Sequence, residues 1–223
     1  MPAIFPHLTC TAPTVGFWAM TTIAEIKKHA RAQVRAARTR RVDERPSRDR
    51  NIQAHLLDAL AKLPCAPSTI GAYVPLPNEP GGADLPDVLA RTEARVLLPR
   101  VVRGDAPSLD WIEYQPDNPN LAAGTWGILE PVGEPVGKSA GSVVHTFPTC
   151  VDVIVTPALS IDYHGIRLGQ GGGFYDRTLA NRPSHVKVWA LVDHEEFTRD
   201  VPCQDHDLVV DAVVNDLGYF PIF

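Results

Sequence analysis

The sequence has no basic surplus: 21 lysines and arginines stand against 26 aspartates and glutamates, a formal charge of -5. That balance argues against a general nucleic-acid binder, while a local basic site for a small anion needs no basic protein. Cysteine is scarce. Cys10, Cys65, Cys150 and Cys203 are widely separated and form no CxxC pair, so neither a zinc knuckle nor a redox motif is indicated, and a reducing cytoplasm is the expected setting. No run approaches the about 18 apolar residues of a membrane span, and no membrane partner is expected. The opening "MPAIFPHLTCTAPTVGFWAM" lacks the charged start and clean apolar run of a secretion signal. Residues 1–20 are therefore expected to be a disordered extension, with Met20 as an alternative start. No internal repeat and no linker divides the remainder, so residues 21–223 are expected to form one domain, with a hydrophobic content of 44% available for its core.

What is present is an alternation of helical and strand patterns. In "TIAE", Thr22 and Glu25 make a capping box that predicts a helix to about Arg41. Ile23, Ile26, Ala30, Val34 and Ala37 give it an apolar stripe; Lys27, Arg31, Arg35 and Arg38 give it a basic one. Pro46 is expected to end this helix, and "SRDRNIQAHLLDALAKL" to form the next, with Ile52, Leu56, Leu60 and Leu63 facing inward. "TIGAYVPL", "RVLLPRVV", "VDVIVTP", "HVKVWALV" and "DLVVDAVV" read as strands, "SLDWIEY" as an edge strand, and "ADLPDVLARTEA" and "FYDRTLAN" as helices. Residues 115–145, rich in Gly, Pro and Asn, predict an irregular passage with one ordered island, "TWGILEP". The near-continuous apolar character of "VDVIVTP" is that of a strand buried on both faces of a parallel sheet. Strands alternating with helices predict a three-layer α/β fold, with a mostly parallel central sheet flanked by helices.

The segment "GIRLGQGGGFYDR" follows the apolar strand closely. Glycines ahead of a helix start let backbone amides approach an anion, yet the pattern matches neither the Walker nor the Rossmann fingerprint. A tight turn accounts for the same glycines. Arg167 suits bidentate phosphate binding, and Asp176, joined by an aspartate of "CQDHDLVVD" (Asp205, Asp207 or Asp211), suits a Mg²⁺ ion that bridges phosphates. Lys27 and Arg31, four apart, share one helix face, which is either a solvated surface or a second anion contact. Glu79 follows a strand end in "YVPLPNEP", where a carboxylate accepts hydrogen bonds from amine or amide groups. Trp126 in "TWGILEP" is either a local core plug or a stacking surface.

"GIRLGQGGGFYDR" also resembles the signature of the 5-formyltetrahydrofolate cyclo-ligase family, the 5,10-methenyltetrahydrofolate synthetases. "KKHAR", "YVPLPNE", "LLPRV", "TWGILEP", "VTPALSID" and "HDLVVDAVV" fall in the family's order, over about residues 22–215. The resemblance implies a single α/β domain acting on 5-formyltetrahydrofolate with ATP and Mg²⁺, through a phosphorylated formyl group, in a cytoplasmic monomer. It places Lys27, Arg31, Arg167, Gly169, Gln170, Gly171, Gly172, Gly173 and Tyr175 at ATP, with Arg167 and Tyr175 as catalytic residues. Asp176 and Asp207 fall to the metal, and Val74, Glu79 and Trp126 to the folate.

Three departures from the family pattern stand out. Gln170 and Gly172 occupy loop positions where some members carry basic residues, Phe174 stands for a common tyrosine, and "EPGGADLP" replaces a direct helix start after Glu79. Rival readings are a sugar-phosphate isomerase or phosphotransferase, a cradle enzyme acting on another carbonyl substrate, and a non-catalytic nucleotide- or folate-binding protein.

Overall fold

The computed structural model describes residues 22–104, 107–124, 127–137, 148–180, 182–204 and 207–223. The expected extension over residues 1–20 lies outside them.

Helix α1 spans Ile23–Arg40 and opens on the expected capping box. The Thr22 hydroxyl accepts from the Glu25 amide at 3.3 Å, and the Glu25 carboxylate accepts from the Thr22 amide at 2.8 Å. After a 3-10 turn at Val42–Glu44, α2 runs Arg45–Ala61. Pro46 therefore opens α2 instead of closing α1. Its missing N–H costs nothing in a first turn, where the amide has no intrahelical partner. Pro86 is placed in the same way at the start of α3, Leu85–Ala90, and the last helix, α4, is Phe174–Leu179.

Strands β1 (Thr69–Gly71), β2 (Arg95–Val102), β3 (Ser108–Glu113), β6 (Val153–Pro157), β9 (Lys187–Leu191), β11 (Ala212–Asn215) and β12 (Gly218–Pro221) form one seven-stranded sheet in the order β12-β11-β9-β6-β1-β2-β3. The five inner strands are parallel, and the edge strands β3 and β12 pair antiparallel. β4 (Leu121–Ala123) and β5 (Leu129–Pro131) pair antiparallel, β5 being the last three residues of the expected island. β7 (Ser160–Asp162), β8 (Arg167–Leu168) and β10 (Phe197–Thr198) make a small third sheet. "SLDWIE" is indeed an edge strand, although its four central residues are buried.

The period of two along each inner strand divides the core into two layers. Val153 and Val155 of β6, Trp189 and Leu191 of β9, and Ala212 and Val214 of β11 face α2 and α3, meeting Ile52, Leu56, Leu60, Leu85 and Leu89. Ile154, Val188, Ala190 and Val213 face the other way, onto Trp111 and onto Leu179 of α4. Each fully buried aliphatic side chain contributes about 1.5–3 kcal/mol, so a strand apolar on both faces anchors both layers. Gly71 marks a tight spot between the layers, since a Cβ there would stand 2.3 Å from the Ile154 side chain.

Helix α1 lies across the carboxyl ends of the parallel strands. Its Arg38 guanidinium donates to the Ala158 carbonyl at 2.6 Å, just beyond β6, and pairs with Glu196 beyond β9. Arg41 and Arg45 join Asp193, and Arg48 joins Glu195 and Glu44, so a belt of ion pairs clamps α1 and α2 to the segment that follows β9. No helix among the described residues is long and apolar enough to cross a membrane.

Candidate functional site

A cleft of about 780 Å³ opens between α1, the glycine loop, and Gln204 with Asp207, Leu208 and Val209. Lys27, Arg31, Arg167, Gly169, Gly171, Gly172, Gly173, Asp176 and Asp207 line it together. Residues separated by 180 positions in sequence thus share one wall, as expected where strand ends converge in an open α/β sheet.

The basic stripe of α1 turns inward in part: Arg31 is half-buried and Arg35 exposed. Lys27 and Arg38 are the buried residues of that helix, while the apolar stripe is only half covered. Lys27 Nζ donates to Asp207 Oδ1 at 2.7 Å and to Gln204 Oε1 at 3.2 Å. Arg31 Nε donates to the Gly169 carbonyl at 2.9 Å, and burial moves its guanidinium pKa downward.

The glycine loop does not follow β6 directly. The β7–β8 hairpin intervenes, and Arg167 is a strand residue at 4% exposure, not a solvated loop charge. Its Nη1 donates to the Pro157 carbonyl at 3.0 Å and its Nη2 to Asp176 Oδ1 at 2.9 Å, so this side chain ties the loop to the end of β6 and to the start of α4. Asp176 Oδ1 also accepts from the Leu208 amide at 3.1 Å. Burial pushes the Asp176 carboxyl up, but Arg167 and that amide outweigh it and hold the group below its ordinary range. At six residues, α4 aligns fewer than two turns of peptide dipoles; the charge facing the cleft is carried mainly by side chains and loop amides.

Two buried donors beside the cleft have no hydrogen-bond partner among the described residues: Arg167 Nε and the Tyr175 hydroxyl. The Tyr175 ring packs edge-on to Trp111 at 6.5 Å and lies beneath the Arg167 guanidinium at 5.6 Å. Burial raises its phenol pKa, so the group stays protonated and able to donate.

Glu79 and Val74 do not line this cleft. Glu79 is buried, accepting from the Leu76 amide at 3.1 Å and from Gln170 Nε2 at 2.8 Å, and Val74 packs against the core layer beneath α2. Trp126 lies outside the described residues, as does Asp205. Asp211, the third aspartate of its segment, accepts from the Val188 amide at 2.8 Å inside the sheet and takes no part in the cleft.

Sequence reading missed Arg177, Arg182 and Gln204, which also line the cleft. Arg177 donates to the Gly172 carbonyl at 2.7 Å and to the Pro107 carbonyl at 2.8 Å, closing the loop from outside. Its place one turn after Gly173 was the available signal. Nothing local in the sequence marks Gln204 or Arg182. With five basic side chains against two carboxylates, the cleft is electropositive in a chain of net negative charge. Among the described residues no cluster of three or more His, Cys, Asp or Glu forms a self-contained metal site. Asp176 and Asp207 are hard oxygen donors on one wall, the usual complement for a Mg²⁺ ion that takes its remaining ligands from phosphates and water.

The chain is similar to 5-formyltetrahydrofolate cyclo-ligases from Mycolicibacterium smegmatis, at 37% identity over 164 residues (70% of this chain and 77% of the relative), and from Escherichia coli K12, at 30% over 148 residues (66% and 76%). Among solved structures, a 5,10-methenyltetrahydrofolate synthetase from Aquifex aeolicus superposes with a TM-score of 0.65 at 25% identity, over 88% of this chain and 93% of the other. One from Mycoplasma pneumoniae, at 20% identity, shares the fold with a TM-score of 0.61, over 85% and 98%. Since the family model matches residues 23–216, from the first turn of α1 past the last inner strand, the chain belongs to the 5-formyltetrahydrofolate cyclo-ligase family.

Proposed function

We propose that the protein converts 5-formyltetrahydrofolate to 5,10-methenyltetrahydrofolate with MgATP, binding the triphosphate in the electropositive cleft. The observation that carries this reading is the convergence of Lys27, Arg31 and Arg167 with the bare backbone of Gly169–Gly173 on one wall. An amide oxygen is a poor leaving group, and phosphorylation corrects that. The formyl oxygen attacks the γ-phosphorus and ADP departs; N10 then attacks the activated carbon, and phosphate leaves as the ring closes. N10 surrenders its proton to solvent or to the departing phosphate, so no general base is assigned.

Phosphoryl transfer asks the protein for position and charge neutralisation more than for covalent help. Lys27 and Arg167 are each paired with a carboxylate, Asp207 and Asp176. Binding the nucleotide is then an exchange of partners: the cations turn to phosphate oxygens, and the two carboxylates are freed to hold Mg²⁺, so that no buried charge is left alone. When bound, Mg²⁺ supplies neutralisation of the phosphate charge. The Tyr175 hydroxyl and Arg167 Nε, both without partners among the described residues, are the donors available to the reacting oxygens. Glu79 accepts from the amino and ring N–H groups of the pterin, with Val74 and Trp126 as apolar and stacking contacts.

The test is an absorbance assay of the purified chain with 5-formyltetrahydrofolate, Mg²⁺ and ATP, following the near-ultraviolet rise of the methenyl product. The expected result is a rise that depends on ATP and on Mg²⁺. A rise that persists without ATP, or no rise while ATP still binds, removes this reading.

A further inference from the structure

The glycine loop reaches Glu79 through the Gln170 side chain. Gln170 Nε2 donates to Glu79 Oε1 at 2.8 Å, while Gln170 Oε1 accepts from Arg35 Nη2 at 2.7 Å and from Arg35 Nε at 3.1 Å. Only one orientation of the amide satisfies both neighbours, because a carboxylate accepts and a guanidinium donates. Gln170 is therefore held from two sides, and its own carbonyl also accepts from Arg35 at 3.2 Å. The residues flanking it belong to the cleft. The Gly169 carbonyl is fixed by Arg31, and Gly171, at φ +108°, lies against the same guanidinium, where a Cβ would come within 3.3 Å of Arg31 Cζ. A shift of the loop on binding an anion moves Gln170 with it.

The geometry points to Gln170 as a positioning residue that couples the two substrate sites, setting the readiness of Glu79 for the folate according to the position of the nucleotide loop. This rests on the reading above, in which the cleft takes the nucleotide and Glu79 the folate. Glu79 Oε2 is fixed by the Leu76 amide; Oε1 is the oxygen whose partner changes when the loop moves. The side chain needs a donor at one end and an acceptor at the other, which lysine or arginine at this position would not supply. Coupling of this kind is reciprocal: whatever factor the nucleotide exerts on folate affinity, the folate exerts on nucleotide affinity.

The experiment is calorimetric titration of 5-formyltetrahydrofolate into the full chain, with and without a non-hydrolysable ATP analogue and Mg²⁺. In the wild-type chain the analogue is expected to change the folate Kd by about five-fold or more, the lower end of typical coupling. In Gln170→Ala the ratio should collapse to about one, and in Arg35→Ala, which frees one end of the amide, it should fall part of the way. Gln170 is exposed, and its removal leaves no buried group unpaired beyond one bond to Glu79. A purely structural role would change both Kd values together and leave the ratio intact. An unchanged ratio in Gln170→Ala, or a wild-type ratio of one, overturns the coupling while leaving the ligand assignment standing. Failure of either ligand to bind the wild-type chain overturns that assignment, and the coupling with it.

Discussion

At the scale of single residues, Arg167 carries the most consequence. It is buried, it bonds the end of β6, and it neutralises Asp176. Arg167→Ala leaves the Asp176 carboxylate largely buried without its cation, which is expected to cost about 3 kcal/mol or more. Low activity in that variant would therefore say little about ATP. Arg167→Lys separates the two roles. It keeps the positive charge, so the thermal midpoint should stay near that of the wild type, but it loses the planar fork, so the KM for ATP should rise about ten-fold. Thermal melts with ATP kinetics check this pair, and a Lys variant with normal KM for ATP would remove the bidentate role.

At the scale of the element, two glycines of the loop, Gly171 and Gly173, hold positive φ values that L side chains rarely adopt. Gly173 caps α4 with φ +65° and ψ 15°, and a Cβ there would lie 2.5 Å from Arg177 Nη1. The arginine end can swing aside, but it then gives up its bond to the Gly172 carbonyl. Gly173→Ala is expected to lose about 1–2 kcal/mol from the left-handed conformation and to raise the KM for ATP several-fold. At Gly104 an added Cβ would meet nothing within 4 Å and φ is not positive, so this is the control position at which alanine should be neutral in both respects. Equal behaviour of the two variants in melting and kinetics would show that the loop conformation does not matter.

Across the whole molecule, the ion-pair belt joins α1 and α2 to the carboxyl end of β9. Arg48 reaches Glu195 with both terminal nitrogens, at 2.7 and 2.9 Å, and these hydrogen bonds lower the Glu195 carboxyl from its ordinary 4.5 to about 2. A carboxyl with a depressed folded-state pKa stabilises the fold above its unfolded value and loses that contribution as pH falls through the folded one. The thermal midpoint of Glu195→Gln should therefore lie below that of the wild type at pH 6, with the gap closing between pH 4.5 and about 2. Melts across that range decide the matter, and a constant gap would mean that the charge of Glu195 is not what holds the belt.

Much of this protein was legible in one dimension. The capping box at Thr22 and Glu25, the inner strands and the α/β class follow from local hydrogen-bonding capacity and from the periods of two and three to four, which neighbouring residues express without help from the rest of the chain. β2 runs over the same eight residues that its pattern predicts. The glycine signature marked the loop, and the order of the motifs marked the family. Other features needed the fold. The basic stripe of α1 read as a second face, yet two of its members are the buried residues of the helix, because these cations meet partners from elsewhere in the chain: Lys27 finds Asp207 and Arg38 finds Glu196. Pro46 read as a helix end and is, like Pro86, a first-turn residue, since what matters for proline is the position of its missing donor. Arg167, Arg182, Gln204 and the Gln170 bridge took their places only when the fold gathered segments distant in sequence. Periodicity fixes which way a side chain points from its own element; the partner that makes a buried charge tolerable is set by topology, which alone brings segments as distant as Lys27 and Asp207 into contact.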